Sequence, residues 1–316
     1  MENGPRPRAL AGERANVRNW SREPHHRRRR AVAMLGLAML VFLLVLTLAV
    51  LSGSSSAHRA APAPGGFLQR LAVLAGTGRG SFAATELGAE NGAIDRTLAY
   101  TPYVRIAGAQ HRELALTFDD GPGPYTPGIL SILERENVPA TFFEVGVLEQ
   151  YFHASTSQIV ADGYAIGDHT YSHAPMSLLS PADQRAQLLE QAAAVQRYGA
   201  AFPRLFRPPY GMWNAQTLAL LRRYRMLMVL WTVDTSDYRR PGVSAIVRSA
   251  VSGARPGAII LLHDAGGNRA ETVAALPKII ARLRALGYRF VTVPRLLLDN
   301  PPPANQQIPA VIGTGS

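Results

Sequence analysis

Short apolar runs alternate with amphipathic stretches between residues 112 and 298. The apolar runs have the length and composition of buried strands. The predicted strands cover residues 114–118, 140–145, 164–167, the neighbourhood of Leu205, 226–233, 258–262 and 290–293. Helices are predicted between them, the first opened by Thr126 as N-cap with Pro127, and the longest capped by Ser180. Repeated strand–helix units predict an α/β fold with a parallel sheet, and about seven of them suit a distorted, incomplete (β/α)-barrel.

Two adjacent carboxylates, Asp119 and Asp120, stand where the first predicted strand breaks into a Gly-Pro turn. Side chains of neighbouring strand residues point to opposite faces, so this pair cannot easily flank one bond as matched glycosidase carboxylates do. At a strand end, one carboxylate can hold a metal while the other moves a proton. That division of labour is what a metal-assisted hydrolase needs.

Two histidines four residues apart, His169 and His173, offer further ligands. On one helical turn, or a loop of that shape, both imidazoles can reach a single cation. Such a pair alone is more often two surface or helix-capping residues. Combined with one strand-end carboxylate, it makes a set of one oxygen and two nitrogen ligands that leaves positions open for water and substrate.

Three more polar clusters each follow a predicted strand. They are Arg207-Pro208-Pro209-Tyr210-Gly211, the segment that runs from Asp234 through Asp237 to Tyr238, and His263-Asp264. Active sites of α/β folds are built at the carboxyl ends of parallel strands. Each cluster alone has an ordinary explanation, such as a surface arginine, a helix-capping aspartate or a core histidine. Five polar clusters after five strands favour an active site.

These blocks resemble, in order, the five motifs of the polysaccharide deacetylase (NodB-homology) domain, carbohydrate esterase family 4. The matching blocks are Thr-Phe-Asp-Asp-Gly-Pro, His-Thr-x-Ser-His, Arg-Pro-Pro-Tyr-Gly, Asp-x-x-Asp-aromatic and Leu-Leu-His, and the resemblance covers about residues 106–298. It implies an incomplete barrel, an N-deacetylase activity and a divalent metal, usually zinc, with cobalt or nickel as alternatives. The metal ligands it implies are Asp120, His169 and His173.

The resemblance also implies the remaining catalytic roles. Asp119 resembles the general base that deprotonates the attacking water, and Arg207 resembles the residue that pairs with this base and orients it. His263 resembles the general acid, with Asp237 as its partner, and the backbone N–H of Tyr210 resembles an oxyanion donor. Elementary chemistry agrees, because an amide carbonyl needs a Lewis acid and the leaving amine needs a proton from a group such as histidine.

Three further residues are expected to contact substrate: Pro209, Tyr238 and Leu261. The family usually has tryptophan where this chain has Tyr238. The replacement changes a wall of the expected groove, and with it the substrate preference, more than the chemistry.

The N-terminal part of the chain differs in composition from the rest. Residues 1–30 hold nine arginines and three glutamates, over half of the net charge of +11, and a basic tail alone would suggest a nucleic-acid partner. Residues 31–51 carry no charge and are long enough to span a bilayer as a helix. Four arginines at 27–30 precede this span, whereas no basic residue follows it before Arg59, so the positive-inside rule places the N-terminus in the cytoplasm.

The expected organisation is a basic cytoplasmic tail (1–30), a transmembrane signal-anchor helix (31–51), an extracytoplasmic linker (52–105), the catalytic domain (106–298) and a disordered tail (299–316). The alternative is a secreted protein released by signal cleavage, although the apolar core of a signal peptide is normally shorter. The chain has no cysteine, which excludes disulfides and cysteine ligands.

The expected function is removal of N-acetyl groups from an envelope polysaccharide by an enzyme of the plasma membrane whose catalytic domain lies outside. Peptidoglycan N-acetylglucosamine is the favoured substrate, and the adjacent membrane span argues against a nucleic-acid partner. The alternatives are an O-acetyl esterase acting on xylan or a similar glycan, and a glycan-binding pseudoenzyme. The complete set of catalytic residue types argues against the pseudoenzyme.

Overall fold

The computed structural model of the chain describes residues 79–306. The predicted basic tail and membrane span at 1–51 lie outside the described residues, and the topology drawn from them stays a prediction. Within residues 79–306, no helix is long and apolar enough to cross a membrane.

Nine short strands form one sheet in the described part of the chain. They are β1 (Tyr103–Val104), β2 (Glu113–Asp119), β3 (Thr141–Glu144), β4 (Ala165–Asp168), β5 (Leu205–Phe206), β6 (Leu227–Val229), β7 (Val233–Asp234), β8 (Ala258–His263) and β9 (Arg289–Phe290). All pairings between these strands are parallel, in the order β1-β6-β5-β4-β3-β2-β8-β7, and β9 also pairs with β2. The described strands β1 and β7 end the order without pairing to each other, which fits the predicted incomplete barrel.

The predicted strand at 226–233 is wrong as a single strand. Residues Leu227–Val229 pair with β5 and β1, whereas Val233–Asp234 pairs with β8 at the other edge of the sheet. Between them the chain crosses the gap in the barrel: the N–H of Leu230 donates to the carbonyl of Val104, and that of Thr232 donates to Ile259. An unbroken apolar run hides this change of partner, because both halves are buried.

Eight α-helices accompany these strands in the described residues. They are α1 (Arg79–Leu98), α2 (Thr126–Glu136), α3 (Glu149–Ala161), α4 (Pro181–Gln196), α5 (Ala215–Arg223), α6 (Val243–Ser252), α7 (Ala270–Ala285) and α8 (Val293–Asp299). The predicted cap of α4 is confirmed, because the Ser180 side chain accepts from the N–H of Asp183. The predicted cap of α2 is wrong: Tyr125 holds that position, and the Thr126 hydroxyl instead donates to Asp264.

The alternation of β2 decides which side chains reach the site. Leu114, Leu116 and Phe118 pack outward into a cluster with helices α2, α6 and α7. Residues between them face the other way, as strand geometry requires. Ala115 belongs to the second, interior cluster, and Asp119 continues that face at the carboxyl end of the strand. Asp119 is therefore buried at the carboxyl end of the sheet.

Segments on either side of the barrel pack against it. Ala93 and Ile94 of α1 lie in the same apolar cluster as Leu296 and Leu297 of α8. Helix α1 falls within the range predicted as linker, and its contacts with α8 attach that part of the linker to the barrel.

The chain after α8 forms a C-terminal strap, residues 300–306, along the edge of the sheet. The Asn300 side chain accepts from the N–H of His111 at 2.6 Å and donates to Glu113 at 2.8 Å. The Gln306 side-chain oxygen accepts from the N–H groups of Arg105, at 2.6 Å, and Ile106, at 3.1 Å. These residues belong to the predicted disordered tail, and up to Gln306 they are hydrogen-bonded to the barrel.

Candidate active site

Asp119 is held by a buried arginine at the bottom of the site. Its Oδ1 accepts from Arg207 Nη1 at 2.6 Å, and both side chains are almost fully excluded from solvent. Arg207 also donates to the Thr117 hydroxyl at 2.8 Å and to the carbonyl of Val229 at 3.0 Å, and its guanidinium lies 4.1 Å from the centre of the Phe143 ring. Burial lowers the pKa of Arg207, and the charge and hydrogen bond of Asp119 oppose that change. The result is a fixed ion pair in which Asp119 has one orientation.

Asp120, the next residue, turns away from the strand in a left-handed conformation with φ 74°. Its Oδ1 lies 3.1 Å from His173 Nε2 and 3.5 Å from His169 Nε2. Burial, the largest single influence, raises the pKa of Asp120, but the neighbouring imidazoles of His169 and His173 and the charge of His263 together hold that pKa well below its usual range. One ligand atom from each of these three residues lies within 4.8 Å of the others.

The outer nitrogens of both histidines are also hydrogen-bonded. His169 Nδ1 lies 2.7 Å from the carbonyl oxygen of Arg207, and His173 Nδ1 lies 3.1 Å from Tyr210 Oη. Metal-binding histidines are normally supported in this way, because the bond at one ring nitrogen directs the other towards the ion. Two nitrogens and one carboxylate oxygen converging on one point fit a divalent cation of the zinc type. The chemistry of the donor set therefore agrees with the predicted ligands.

A second aspartate–cation pair stands beside the first. His263 ends β8, whose register places it opposite Asp119 on β2. Its Nδ1 lies 2.7 Å from Asp237 Oδ1, and the other oxygen of Asp237 accepts from the His263 N–H and the Thr272 hydroxyl. Burial, the largest influence, lowers the pKa of His263, but the hydrogen bond and charge of Asp237, with the charges of Asp120 and Asp119, raise it to about 9. His263 is therefore a protonated group near neutral pH, suited to donate a proton.

These groups open into one cavity of about 790 Å³. Among the residues that line it are Asp119, Asp120, His169, His173, Tyr210, Trp231, Tyr238, Leu261 and His263. Tyr210 and Tyr238 expose 55% and 39% of their surface, so each offers a ring to a bound sugar. Pro209 is buried and is not among the lining residues, whereas its neighbour Pro208 is. Arg207 and Asp237 act from behind the wall, through the residues that they hold.

Sequence reasoning missed several groups that complete the site. Arg269 is buried, donates to the carbonyls of Ala265 and Gly266, and places Nη2 4.0 Å from Asp120 Oδ2. Asp264 lies beneath the turn after Asp120. Burial raises the pKa of Asp264 to about 7. Thr272 fixes Asp237, as described above. Asp264 belongs to the His263-Asp264 block named from the sequence, but it received no role there. Arg269 and Thr272 lie in no polar block that follows a strand.

Comparison with known proteins shows the family of this chain. A family model described as polysaccharide deacetylase matches residues 107–229. A chitooligosaccharide deacetylase of Bradyrhizobium sp. is 36% identical over 198 residues, which cover 58% of this chain and 90% of that protein. A peptidoglycan-N-acetylglucosamine deacetylase of Bacillus cereus is 39% identical over 187 residues, which cover 58% of this chain and 87% of that protein.

A solved structure shares both the fold and part of the sequence. The crystal structure of a peptidoglycan N-acetylglucosamine deacetylase in complex with 4-naphthalen-1-yl-N-oxidanyl-benzamide superimposes with a TM-score of 0.61 and 34% identity. The match covers 63% of this chain and 94% of that one. With the motifs predicted from the sequence now gathered around one cavity, the chain belongs to the polysaccharide deacetylase family, carbohydrate esterase family 4, and is a hydrolase of that family.

Proposed function

We propose that this protein is a membrane-anchored, metal-dependent deacetylase that removes N-acetyl groups from peptidoglycan N-acetylglucosamine. The observation that carries the chemistry is the placement of two aspartate–cation pairs around the cavity that also holds the cluster of Asp120, His169 and His173. Hydrolysis of an amide needs a base for the incoming water, stabilisation of the developing oxyanion and an acid for the departing amine. Each of these has a candidate group in this cavity.

Asp120, His169 and His173 are the residues that would hold the metal. The chemistry that a divalent cation would supply there is Lewis acidity, which would polarise the acetyl carbonyl and lower the pKa of water. Asp119 takes a proton from the water that attacks the carbonyl carbon, and Arg207 holds the carboxylate in alignment. The backbone N–H of Tyr210 is assigned to the developing oxyanion. When the carbon–nitrogen bond breaks, His263 gives its proton to the nitrogen, and the products are acetate and a free amine on the sugar.

The choice of an N-acetylated substrate rests on His263 and on the named relatives. An amide nitrogen leaves only when protonated, and the raised pKa of His263 keeps it protonated at neutral pH. Two relatives that are matched over most of their length are named for peptidoglycan N-acetylglucosamine and for chitooligosaccharides, and both of these glycans contain N-acetylglucosamine. The uncharged span at 31–51, preceded by four arginines, supports a location facing the cell envelope.

A panel of acetylated glycans tests the substrate. The purified protein with zinc should release acetate from peptidoglycan and leave free amines, which mass spectrometry and an amine-reactive dye both detect. Loss of activity with a chelator and recovery with zinc would support the metal dependence. Acetate release from acetylxylan without new amines on any N-acetylated polymer would replace this proposal with the O-acetyl esterase. No acetate from any member of the panel would favour a glycan-binding pseudoenzyme.

Protease accessibility tests the location separately. In intact cells whose outer layer is permeable, added protease should remove the catalytic domain and leave the basic tail protected. Protection of the whole chain would overturn the proposed topology, and a soluble mature protein would show that the N-terminal segment is cleaved.

A further inference from the structure

The two histidines of the candidate metal centre rest on different kinds of hydrogen-bond partner. His169 Nδ1 lies 2.7 Å from a backbone carbonyl, which can only accept, so His169 carries its ring proton on Nδ1. His173 Nδ1 lies 3.1 Å from the phenol of Tyr210, which can donate or accept. The first partner fixes one tautomer, whereas the second keeps a hydrogen bond with either tautomer.

We propose that the side chain of Tyr210 is a positioning residue for His173, separate from the role assigned to its backbone N–H. The Tyr210 ring meets the His173 ring at 68° with the centroids 4.7 Å apart, so the contact restrains the plane of the imidazole as well as its Nδ1. Tyr210 itself is held in a left-handed conformation with φ 59° within a short turn bounded by prolines and glycine. The inference rests on the proposed metal dependence of this site.

The phenol lets His173 change partners without losing a hydrogen bond. His173 Nε2 lies 3.1 Å from Asp120 Oδ1. With the ring proton on Nε2, the imidazole donates to Asp120 and accepts at Nδ1 from the Tyr210 O–H. With the proton on Nδ1, the imidazole donates to Tyr210 Oη, and the lone pair on Nε2 is available to a cation beside Asp120. The change moves one proton between the ring nitrogens and alters no net charge.

The second tautomer also frees the phenol hydrogen. Tyr210 then accepts from His173, and its own O–H can donate to a group in the cavity that Tyr210 lines. A carbonyl partner such as that of His169 offers no such donor. Tyr210 therefore links the orientation of one metal ligand to the polar surface that substrate meets.

Exposure sets the expected size of the effect. Loss of the outer partner of a metal-binding histidine typically weakens metal binding by about 10–100-fold. The His173 side chain is 28% exposed against 3% for His169, so water can partly replace a lost phenol. We expect Tyr210→Phe, which keeps the ring and removes only the oxygen, to weaken zinc binding by about 10-fold.

The test compares zinc affinity in wild type, Tyr210→Phe and Tyr238→Phe by competition with a chromophoric chelator. Tyr238 stands in the same cavity, but its ring packs on His263 with centroids 5.3 Å apart rather than on a metal ligand. Its phenylalanine variant should therefore bind zinc as wild type does. Equal affinity of wild type and Tyr210→Phe, within about twofold, would overturn the inference. Equal weakening in both variants would do the same. Circular dichroism of the metal-free proteins checks that each variant is folded.

Nitrogen-15 spectra of histidine-labelled wild-type protein provide a readout that needs no variant. With zinc bound, His173 should be protonated at Nδ1, and protonation at Nε2 would contradict the proposal. Failure of wild type to bind zinc would refute the metal dependence and this inference together. Zinc binding and deacetylation by wild type, with an unchanged affinity in Tyr210→Phe, would refute this inference alone.

Discussion

Two aspartate–cation pairs beside one cavity are proposed to serve opposite purposes. Asp119 Oδ1 lies 2.6 Å from Arg207 Nη1, and Asp237 Oδ1 lies 2.7 Å from His263 Nδ1. In the first pair the cation is an arginine, which stays protonated, so the aspartate beside it is free to take a proton. In the second pair the cation is a histidine, and the aspartate keeps it protonated until the proton is needed. In the proposed mechanism, the identity of the cation distinguishes the pair that supplies the base from the pair that supplies the acid.

The surroundings of the two pairs differ as well. Arg207 is fully buried and is anchored by the Thr117 hydroxyl of β2 and the Val229 carbonyl of β6, two strands that are not neighbours in the sheet. The His263 side chain is 12% exposed and faces the cavity, with the ring of Tyr238 at its edge. The proposed base is held by a fully buried cation, and the proposed acid lies at the cavity wall.

The largest expected effect separates the base from its metal-binding neighbour. Asp119→Asn keeps nearly the same shape and removes the acceptor for the proton, so turnover should fall by roughly 10²–10⁴-fold while zinc remains bound. Asp120→Ala should lose both activity and zinc, because it removes an anionic ligand. Elemental analysis measures the zinc content of each purified variant, and a turnover assay measures its activity. If Asp119→Asn is metal-free while Asp120→Ala holds full metal, the two roles are reversed.

The next prediction concerns the rigidity of the base pair. Arg207→Met leaves Asp119 buried without its cation, and breaking a buried ion pair costs about 3–5 kcal/mol in the free energy of unfolding. Arg204→Met is a matched control, because Arg204 pairs with Asp95 where both side chains are partly exposed. It should cost only about 1 kcal/mol or less. Urea denaturation measures the free energy of unfolding of both variants. Similar losses of that free energy in the two would contradict the special structural role assigned to Arg207.

A smaller effect should appear on the acid side as a shift in pH dependence. His263 acts as an acid only below its pKa, which Asp237 helps to raise to about 9. In Asp237→Asn the carboxylate charge is lost while burial still lowers the pKa of His263, so that pKa should fall and the alkaline limb of the rate profile should move to lower pH. A cation bound at the site would lower the pKa of His263 in wild type and in Asp237→Asn alike. The measured quantity is therefore the difference between the alkaline limbs of these two proteins.

Asp234→Asn is the control for this shift. Asp234 also lines the cavity, but its carboxylate accepts from the N–H of Ser236 rather than from His263. The alkaline limb of the rate profile of Asp234→Asn should coincide with that of wild type. An unshifted limb in Asp237→Asn would mean that another group sets the alkaline side.

The smallest effect should come from Thr272→Val. Its hydroxyl donates to Asp237 at 2.7 Å, and loss of one such bond costs about 1 kcal/mol. Turnover should fall less than about 10-fold, and the alkaline limb should stay close to that of wild type. A fall as large as that of Asp119→Asn would show that the acid side depends on its support as strongly as the base side does.

The sequence predicted best what depends on neighbours along the chain. Strand ends with polar residues identified Asp119, Asp120 and His263, because an apolar run followed by a polar block is a local pattern. The strand at 226–233 was misjudged, since a buried run has no periodicity to mark where it leaves one edge for the other. The bond between His173 and Tyr210 joins residues on different loops, and no local pattern records it. Arg269 was missed for the same reason.

The C-terminal strap has a practical consequence for anyone who shortens or labels this protein. Gln306 accepts from two backbone N–H groups just after β1, and the Tyr103 hydroxyl donates to its carbonyl. The Asn300 side chain likewise accepts from the N–H of His111, close to the start of β2. A version trimmed at the end of α8 would remove the acceptors of the Ile106 and His111 N–H groups, and His111 lies close to the start of the strand that carries Asp119. A protein intended for crystals or assays should therefore keep every residue through Gln306, with any affinity tag attached beyond it.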